Sequence, residues 1–528
     1  MMEELHRSDR VDRTIKKGKK GLARVIFSRT ALLGLLLLLQ FLGLWTLFAW
    51  LQVYVAYVYT VFIVIDFFFV VYLINKDGNP AFKISWLVLI LLVPVVGTLF
   101  YIFVQGQVGA RKLQARLREN IRETRPYLQQ QAEVMEALEK EDSESLGLAR
   151  YMNQAGGYPV YQNTGAFYFP LGEDYFAELL RQLETAEKFI FMEFFIVDEG
   201  HMWNSVLEIL RRKVKEGVEV RFLYDGTCTL SRLPIHYPRQ LLAYGIQCRV
   251  FSPIRPALST YQNNRDHRKI VVIDGQTAFT GGVNLADEYI NEEKRFGHWK
   301  DTGIMLQGEA VTSFTMMFLQ MWNLTGMSPE AYQRYIVPAE KLSRPVAGFV
   351  MPYGDSPLDQ EQVGEMVYMD ILNRAKRYVH ICTPYLILDH EMVTALRFAA
   401  KRGVEIQLIV PHIPDKQYAY LEARIFYEEL IPYGVEIYEY TPGFVHAKSF
   451  VSDDRCCTVG TVNLDFRSLY LHFECGVYAA DHPVVAEVER DFQETLQSCQ
   501  RITMEDIKNY SNFRRALGYI LRVMAPQM

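Results

Sequence analysis

The stretch DHRKIVVIDGQTAFTGGVN, Asp266 to Asn284, returns far downstream as VHAKSFVSDDRCCTVGTVN, Val445 to Asn463. Both hold the pattern H-x-K-x4-D-x6-G-x-x-N: His267, Lys269, Asp274, Gly281 and Asn284 in the first copy, His446, Lys448, Asp453, Gly460 and Asn463 in the second. At ordinary residue frequencies one such match arises by chance in a chain of this length on the order of once in 10⁴ sequences. Two matches point to an internal duplication.

The residues upstream of each copy repeat as well. AEKFIFMEFFIV, EGVEVRFLYDG and AYGIQCRVFSP precede the first motif; AKRYVHICTPYLI, RGVEIQLIVPH and PYGVEIYEYTP precede the second. Their β-branched and aromatic runs read as strands. Between the first two blocks lie SVLEILRRKVKEG and EMVTALRFAAKRG, helix-period segments that end on glycine. Alternating strand and helix implies an α/β fold, two pseudo-symmetric repeats with mixed sheets covered by helices. The gap before the motif histidine is ten residues longer in the first half, which marks IRPALSTYQNN as a loop beside the site.

The N-terminal region has a different composition. From Ala31 to Ile74 the one charged residue is Asp66, and from Ile84 to Val104 there is none. About 20 helical residues cross a hydrocarbon core, so residues 31–106 read as transmembrane, in two to three apolar segments. Nine basic residues from Arg7 to Arg29 precede the first run, and Arg111, Lys112, Arg116, Arg118, Arg122 and Arg125 follow the last. Basic flanks on both sides favour a cytoplasmic face for each, hence two spans plus an interfacial or re-entrant segment. The full division is a basic N-terminus (1–30), the transmembrane region (31–106), a charged, solvated linker helix (107–155), the two repeats (156–340 and 341–500) and an amphipathic C-terminal segment (501–528). A net charge of −5 argues against a general nucleic-acid-binding surface. Seven scattered cysteines without C-x-x-C or zinc spacing read as reduced and structural.

Chemically, a neutral imidazole serves as nucleophile or base and its protonated form as acid. On a strand, His and Lys two apart share a face. A lysine ammonium beside it suits a phosphate oxygen, and asparagine offers an amide donor. Two copies face to face make a closed phosphate site, suited to double displacement through a phosphoryl-histidine with no metal and no cofactor.

These residues resemble the phospholipase D superfamily, and within it the bacterial cardiolipin synthases, through the duplicated motif together with FTGGVNLADEY, VGTVNLDFRS, ICTPYLI and the apolar segment NPAFKISWLVLILLVPVVGTLFYIF. The resemblance implies a membrane phosphatidyltransferase that condenses two phosphatidylglycerol molecules to cardiolipin and glycerol; the basic flanks and reduced cysteines put the catalytic part on the cytoplasmic face of the cell membrane. Hydrolysis, or transfer to another alcohol, uses the same motifs. It implies His267 as nucleophile and His446 as general acid and then base, with Lys269, Lys448, Asn284 and Asn463 on the phosphate. Asp274 and Asp453 complete the catalytic motifs, in orienting or structural roles. Asp301 and Glu474 match acids that hold a motif histidine through its second nitrogen. Thr461, where the first half has Gly282, offers a hydroxyl to phosphate. Glu193, on the first strand of the repeat, is a further site candidate.

Overall fold

The computed structural model describes residues 38–46, 55–105, 108–254, 263–326, 332–339, 342, 345–359 and 361–527. The basic N-terminus, much of the first apolar run and most of the IRPALSTYQNN loop lie outside them.

After a helical stretch at residues 38–46 come three helices: α1 (Val55–Asn75, with side chains described from Thr60), α2 (Pro80–Leu92) and α3 (Val96–Gln105). The apolar run 84–104 does not form one spanning helix. It breaks at Val93–Val95, where Pro94 lacks an N–H and Val95 takes φ 70°, and folds back on itself. Trp86 then meets Tyr101 at a ring separation of 5.1 Å. The arms of 13 and 10 residues measure about 20 and 15 Å at 1.5 Å per residue, against a hydrocarbon core of about 30 Å. Among the described residues no helix is long and apolar enough to cross a membrane. Asp66 secures the break: its carboxylate accepts from Val95 N–H at 2.9 Å and from the Thr98 hydroxyl at 2.6 Å.

The expected linker helix is three helices, and it is docked rather than solvated. Its first member, α4 (Val108–Thr124), precedes helices Ala132–Glu141 and Leu146–Tyr151. Asn120 donates to Gln320 O at 2.8 Å, and Arg116 donates to Asn323 O at 3.0 Å. The polar residues of α4 thus bond the backbone of a buried helix.

The first repeat contains β1 (Gly165–Phe169), α5 (Gly172–Glu184), β2 (Phe189–Phe194), α6 (His201–Lys215), β3 (Glu219–Asp225), β4 (Gln247–Phe251), β5 (Ile270–Ile273), β6 (Thr277–Gly281) and β7 (Gly303–Gln307). Its seven-stranded sheet runs β1-β7-β6-β5-β2-β3-β4, parallel at β2–β3 and β3–β4 and antiparallel elsewhere. After α7 (Val311–Thr325) the second repeat supplies β8 (Phe349–Asp355), α8 (Val363–Arg374), β9 (Tyr378–Cys382), α9 (His390–Lys401), β10 (Glu405–Pro411), α10 (Gln417–Leu430), β11 (Val435–Tyr440), β12 (Ser449–Ser452), β13 (Cys456–Gly460), β14 (His472–Ala480), α11 (Val484–Leu496), β15 (Cys499–Ile502) and α12 (Asn512–Met524). Its order is β8-β14-β13-β12-β9-β10-β11-β15. The order β6-β5-β2-β3-β4 of the first sheet corresponds strand for strand to β13-β12-β9-β10-β11 of the second.

The helix stops read from glycine hold: α6 and α9 are followed by Gly217 and Gly403 at φ 95° and 90°. Helix α7 is buried along nearly its whole length, and one hydrophobic cluster takes in side chains of both sheets. The two repeats therefore share a core.

Candidate active site

Each motif begins at a seam between the repeats. The two-residue strand Arg265–Asp266 leaves the first repeat and pairs in parallel with His472–Phe473 of β14. Gly443–Val445 of the second repeat pairs in the same way with His298–Lys300 of the first. His267 N–H donates to Phe473 O at 3.0 Å, and His446 N–H donates to Lys300 O at 2.7 Å. Each motif histidine is thereby held beside the residue that follows in the opposite repeat, Glu474 for His267 and Asp301 for His446.

The side chains pair across the seam. His267 Nδ1 lies 2.9 Å from Glu474 Oε1, and His446 Nδ1 lies 2.6 Å from Asp301 Oδ2. Both acids are fully buried. A carboxylate only accepts, so in the neutral rings Nδ1 carries the proton and Nε2 the lone pair. The two acids identified from sequence are thus in the site, but each serves the histidine of the other repeat.

Burial keeps both rings neutral. It pushes His267 well below the ordinary imidazole range, assisted by Lys269, Lys448 and His446. Burial, then Lys448, lowers His446 to about 4 against the pull of Asp301. Lys269 and Lys448 fall to about 8 and about 7, again chiefly through burial. The crossed pairings across the seam bring the two motifs to one site. The lysines lie just before β5 and β12 rather than on them, and each ammonium donates to the carbonyl of its own motif histidine.

Gly282 and Thr461 occupy equivalent positions and solve different problems. A Cβ on Gly282 would stand 1.9 Å from Asp301 Oδ1, so the shorter acid occupies that space. Thr461 instead donates its hydroxyl to Glu474 Oε2 and accepts from Cys475 N–H at 3.0 Å. Its hydroxyl steadies the acid.

Asp274 and Asp453 take structural positions. They sit in the tight turns joining β5 to β6 and β12 to β13, at φ 54° and 59°, followed by Gly275 at 69° and Asp454 at 60°. Positive φ at both central residues is the type I′ hairpin geometry, favoured by Asp-Gly. The Asp274 carboxylate accepts from the N–H groups of Glu187, Lys188 and Phe189, each at 2.7 Å. Asp453 does the same for Lys376, Arg377 and Tyr378 at 2.7, 2.9 and 2.9 Å. Each thus staples a motif hairpin to the start of the neighbouring strand.

Asn284 accepts from Ile196 N–H at 2.9 Å and donates to the Tyr289 hydroxyl at 2.8 Å, a loop-bracing role. Asn463 is buried and donates to Asp465 at 3.3 Å. Glu193 lies under the site in an ion pair with Arg268 Nη2 at 2.6 Å; burial pushes its carboxyl up while Arg268 opposes. The equivalent positions in the second repeat, Cys382 and Ala447, carry no charge, so this pair belongs to one half only.

Several site residues carry no motif signal. Phe195 and His472 flank the His267 ring at 4.8 and 5.4 Å, and Trp299, Tyr289 and Phe444 surround that of His446 at 5.3, 5.5 and 5.9 Å. His472 occupies the place that Trp299 holds in the other half. Arg467 donates to its Nε2 at 3.2 Å, and its Nδ1 is 3.6 Å from Glu474 Oε1. Burial holds it neutral, at about 3. Ligating atoms of His267, His472 and Glu474 lie within 4.8 Å of one another, the grouping among the described residues that a metal ion would fit. The repeat alignment, which sets HFE against WKD, was the one available signal for His472.

This arrangement, two neutral histidines with crossed acids and two lysines on a duplicated mixed α/β fold, defines a phospholipase D-like phosphoryl-transfer site. The family model described as cardiolipin synthase, PLD-like domain, matches residues 179–322 and 368–496, and the phospholipase D-nuclease N-terminal model matches 64–106. The chain belongs to the cardiolipin synthase family. It is 32% identical to a cardiolipin synthase of Alkalihalophilus pseudofirmus over 85% of this chain and 90% of that one. An uncharacterized protein of Streptococcus mutans is 48% identical over 87% of this chain and 99% of its own. The fold also matches the crystal structure of phosphatidylserine synthase from Haemophilus influenzae, with TM-score 0.55 and 16% identity, over 71% of this chain and 96% of that one. The protein is a phospholipid phosphatidyltransferase.

Proposed function

We propose that the enzyme condenses two phosphatidylglycerol molecules into cardiolipin and glycerol through a phosphatidyl-histidine. The reading is carried by the crossed histidine–acid pairs, which leave two Nε2 lone pairs for opposite sides of one phosphorus. His267 Nε2 attacks the phosphorus of the first lipid; the P–O bond to glycerol breaks, and His446 gives that oxygen its proton. The imidazolium formed at His267 is balanced by Glu474. His446 then takes the proton from a headgroup hydroxyl of the second lipid, that oxygen attacks phosphorus, and the P–N bond breaks. Lys269 and Lys448 hold the non-bridging oxygens.

His446 must be protonated for the first step, although burial lowers it to about 4 in the free site. The substrate supplies the difference. A phosphodiester anion at about 4 Å is worth about 4 kcal/mol at an effective dielectric of about 20, or about three pH units. Lipid binding therefore draws a proton onto His446 and arms it as the acid.

The N-terminal apolar region anchors the enzyme in the cell membrane, with the α2–α3 hairpin seated in one leaflet and the catalytic part on the cytoplasmic face. The exposed Leu91, Leu92 and Val93 at the hairpin tip support this placement. The catalytic reading is tested with detergent-purified protein given phosphatidylglycerol alone, following lipid products and glycerol by mass spectrometry. Cardiolipin and glycerol in equal amounts, absent in His267→Ala and His446→Ala, is the expected result. Phosphatidic acid with glycerol and no cardiolipin would make water the acceptor and overturn it.

A further inference from the structure

We propose that the C-terminal helix α12 is a second membrane contact, lying flat on the lipid surface beside the α2–α3 hairpin. A surface helix ordinarily buries its apolar stripe and shows its charges to water. Helix α12 leaves its apolar stripe uncovered. Phe513, Leu517, Ile520 and Met524, spaced i, i+4, i+7, i+11 on one face, are all exposed, Phe513 at 77% and Ile520 at 65%. Three of its polar side chains tie it to α10, while Asn512 and Arg514 stay exposed. Arg515 Nε pairs with Glu428 at 2.7 Å, Arg522 Nη1 pairs with Glu429 at 2.8 Å, and the Tyr519 hydroxyl donates to Glu428 at 2.9 Å. Gly518 permits the close approach to α10: a Cβ there would stand 2.9 Å from Leu421 O.

The occupant of the stripe follows from what lies next to it. Ser85 of α2 donates to Val523 O at 2.6 Å, so the end of α12 is tied to the hairpin. The hairpin continues the exposed apolar surface through Ile84, Leu91 and Leu92. One apolar face thus runs from a segment placed in a leaflet onto α12, and a helix lying along the interface is its natural extension. Helix α10 carries the arrangement to the site. Lys416, immediately before α10, adds to the charges that depress His267 and stacks over the Tyr385 ring at 4.7 Å. Seating α12 on lipid therefore sets the height of the site mouth above the headgroups.

The inference rests on the hairpin placement proposed above, and the test separates the two. Full-length protein carrying photoreactive p-benzoylphenylalanine at Ile520, and separately at Leu92, is reconstituted in vesicles of phosphatidylglycerol and phosphatidylethanolamine and irradiated. Lipid adducts at both positions are expected. Adducts at Leu92 but none at Ile520, or only a crosslink between two copies at Ile520, would overturn the α12 contact and leave the hairpin standing. No lipid adduct at Leu92 would overturn both. As a second readout, the double variant Phe513→Glu, Ile520→Glu is expected to lose at least tenfold in rate on vesicles while keeping its rate in detergent micelles. Equal rates in both media would count against the proposal.

Discussion

Replacing Gly282 by alanine adds one methyl group where Asp301 leaves no room for it. The new carbon would stand 1.9 Å from Asp301 Oδ1 and 2.8 Å from its Cγ, far inside van der Waals contact, so the carboxylate has to withdraw by more than about 1 Å. Its other oxygen makes the 2.6 Å contact to His446 Nδ1, and a shift of that size breaks a hydrogen bond. A bond to a charged group is worth about 1.5 to 3 kcal/mol, which corresponds to a loss of about 10- to 150-fold in kcat. The pH profile gives a sharper readout. Asp301 raises His446 against the effects of burial and Lys448, so displacing it lowers the pH at which the acid form is lost. The alkaline limb of kcat then moves to lower pH. The assay is cardiolipin formation against pH, with circular dichroism to confirm the fold. A folded Gly282→Ala enzyme within threefold of the parent, with its alkaline limb unmoved, would refute the view that Asp301 sets the state of His446.

Other perturbations separate catalysis from scaffolding. Asp274→Ala removes three hydrogen bonds to backbone N–H groups but touches no reacting group, so it should cost about 2 to 4 kcal/mol of stability, read as a lower Tm, while the folded fraction keeps turning over. Thr461→Val removes the hydroxyl bound to Glu474 and is expected to slow transfer about tenfold; an unchanged rate would show that Glu474 holds its place unaided. The folded pKa of His446, about 4, lies below its unfolded value of about 6.5. The unfolded chain therefore binds more protons between those values, and this group's contribution to stability declines as pH falls from about 6.5 to about 4, by up to about 3 kcal/mol. Denaturant titrations of the parent and His446→Gln across that range should diverge accordingly. Asp66→Ala removes the hydrogen bonds that Val95 and Thr98 make to the carboxylate and should lower the Tm of the detergent-purified protein; an unchanged Tm would show that the turn holds without it.

The repeat was legible because its signals are local. The glycine stops after the two repeat helices announce themselves through positive φ. The motif histidines and lysines could be named because the pattern occurs twice, and both partner acids through the resemblance to the phospholipase D superfamily. The crossing of the acids was not legible, since it depends on which strand each histidine lies against, and the parallel pairings of Arg265–Asp266 and Gly443–Val445 involve two or three residues each. How the motif aspartates act was not legible either: a carboxylate on a turn and one in a site have the same letter, and only the three N–H groups converging on Asp274 distinguish them. Composition likewise overstated the span from Ile84 to Val104. An apolar run reports what it can be buried in, whereas Pro94 and the distant Asp66 decide that it folds back.

The crossed pairing also means that neither half of the gene encodes a working unit. A single repeat expressed alone would bring its histidine without the acid that holds it, and a substitution in one repeat disables the histidine of the other. Asp301→Asn and His446→Ala should therefore fall in one functional group although they lie in different repeats, with Glu474→Gln and His267→Ala in the other. Split between Thr325 and Phe349, the two halves would regain turnover only by reassembling the seam. A mixture of two intact dead chains would not, because each seam is sealed within its own polypeptide.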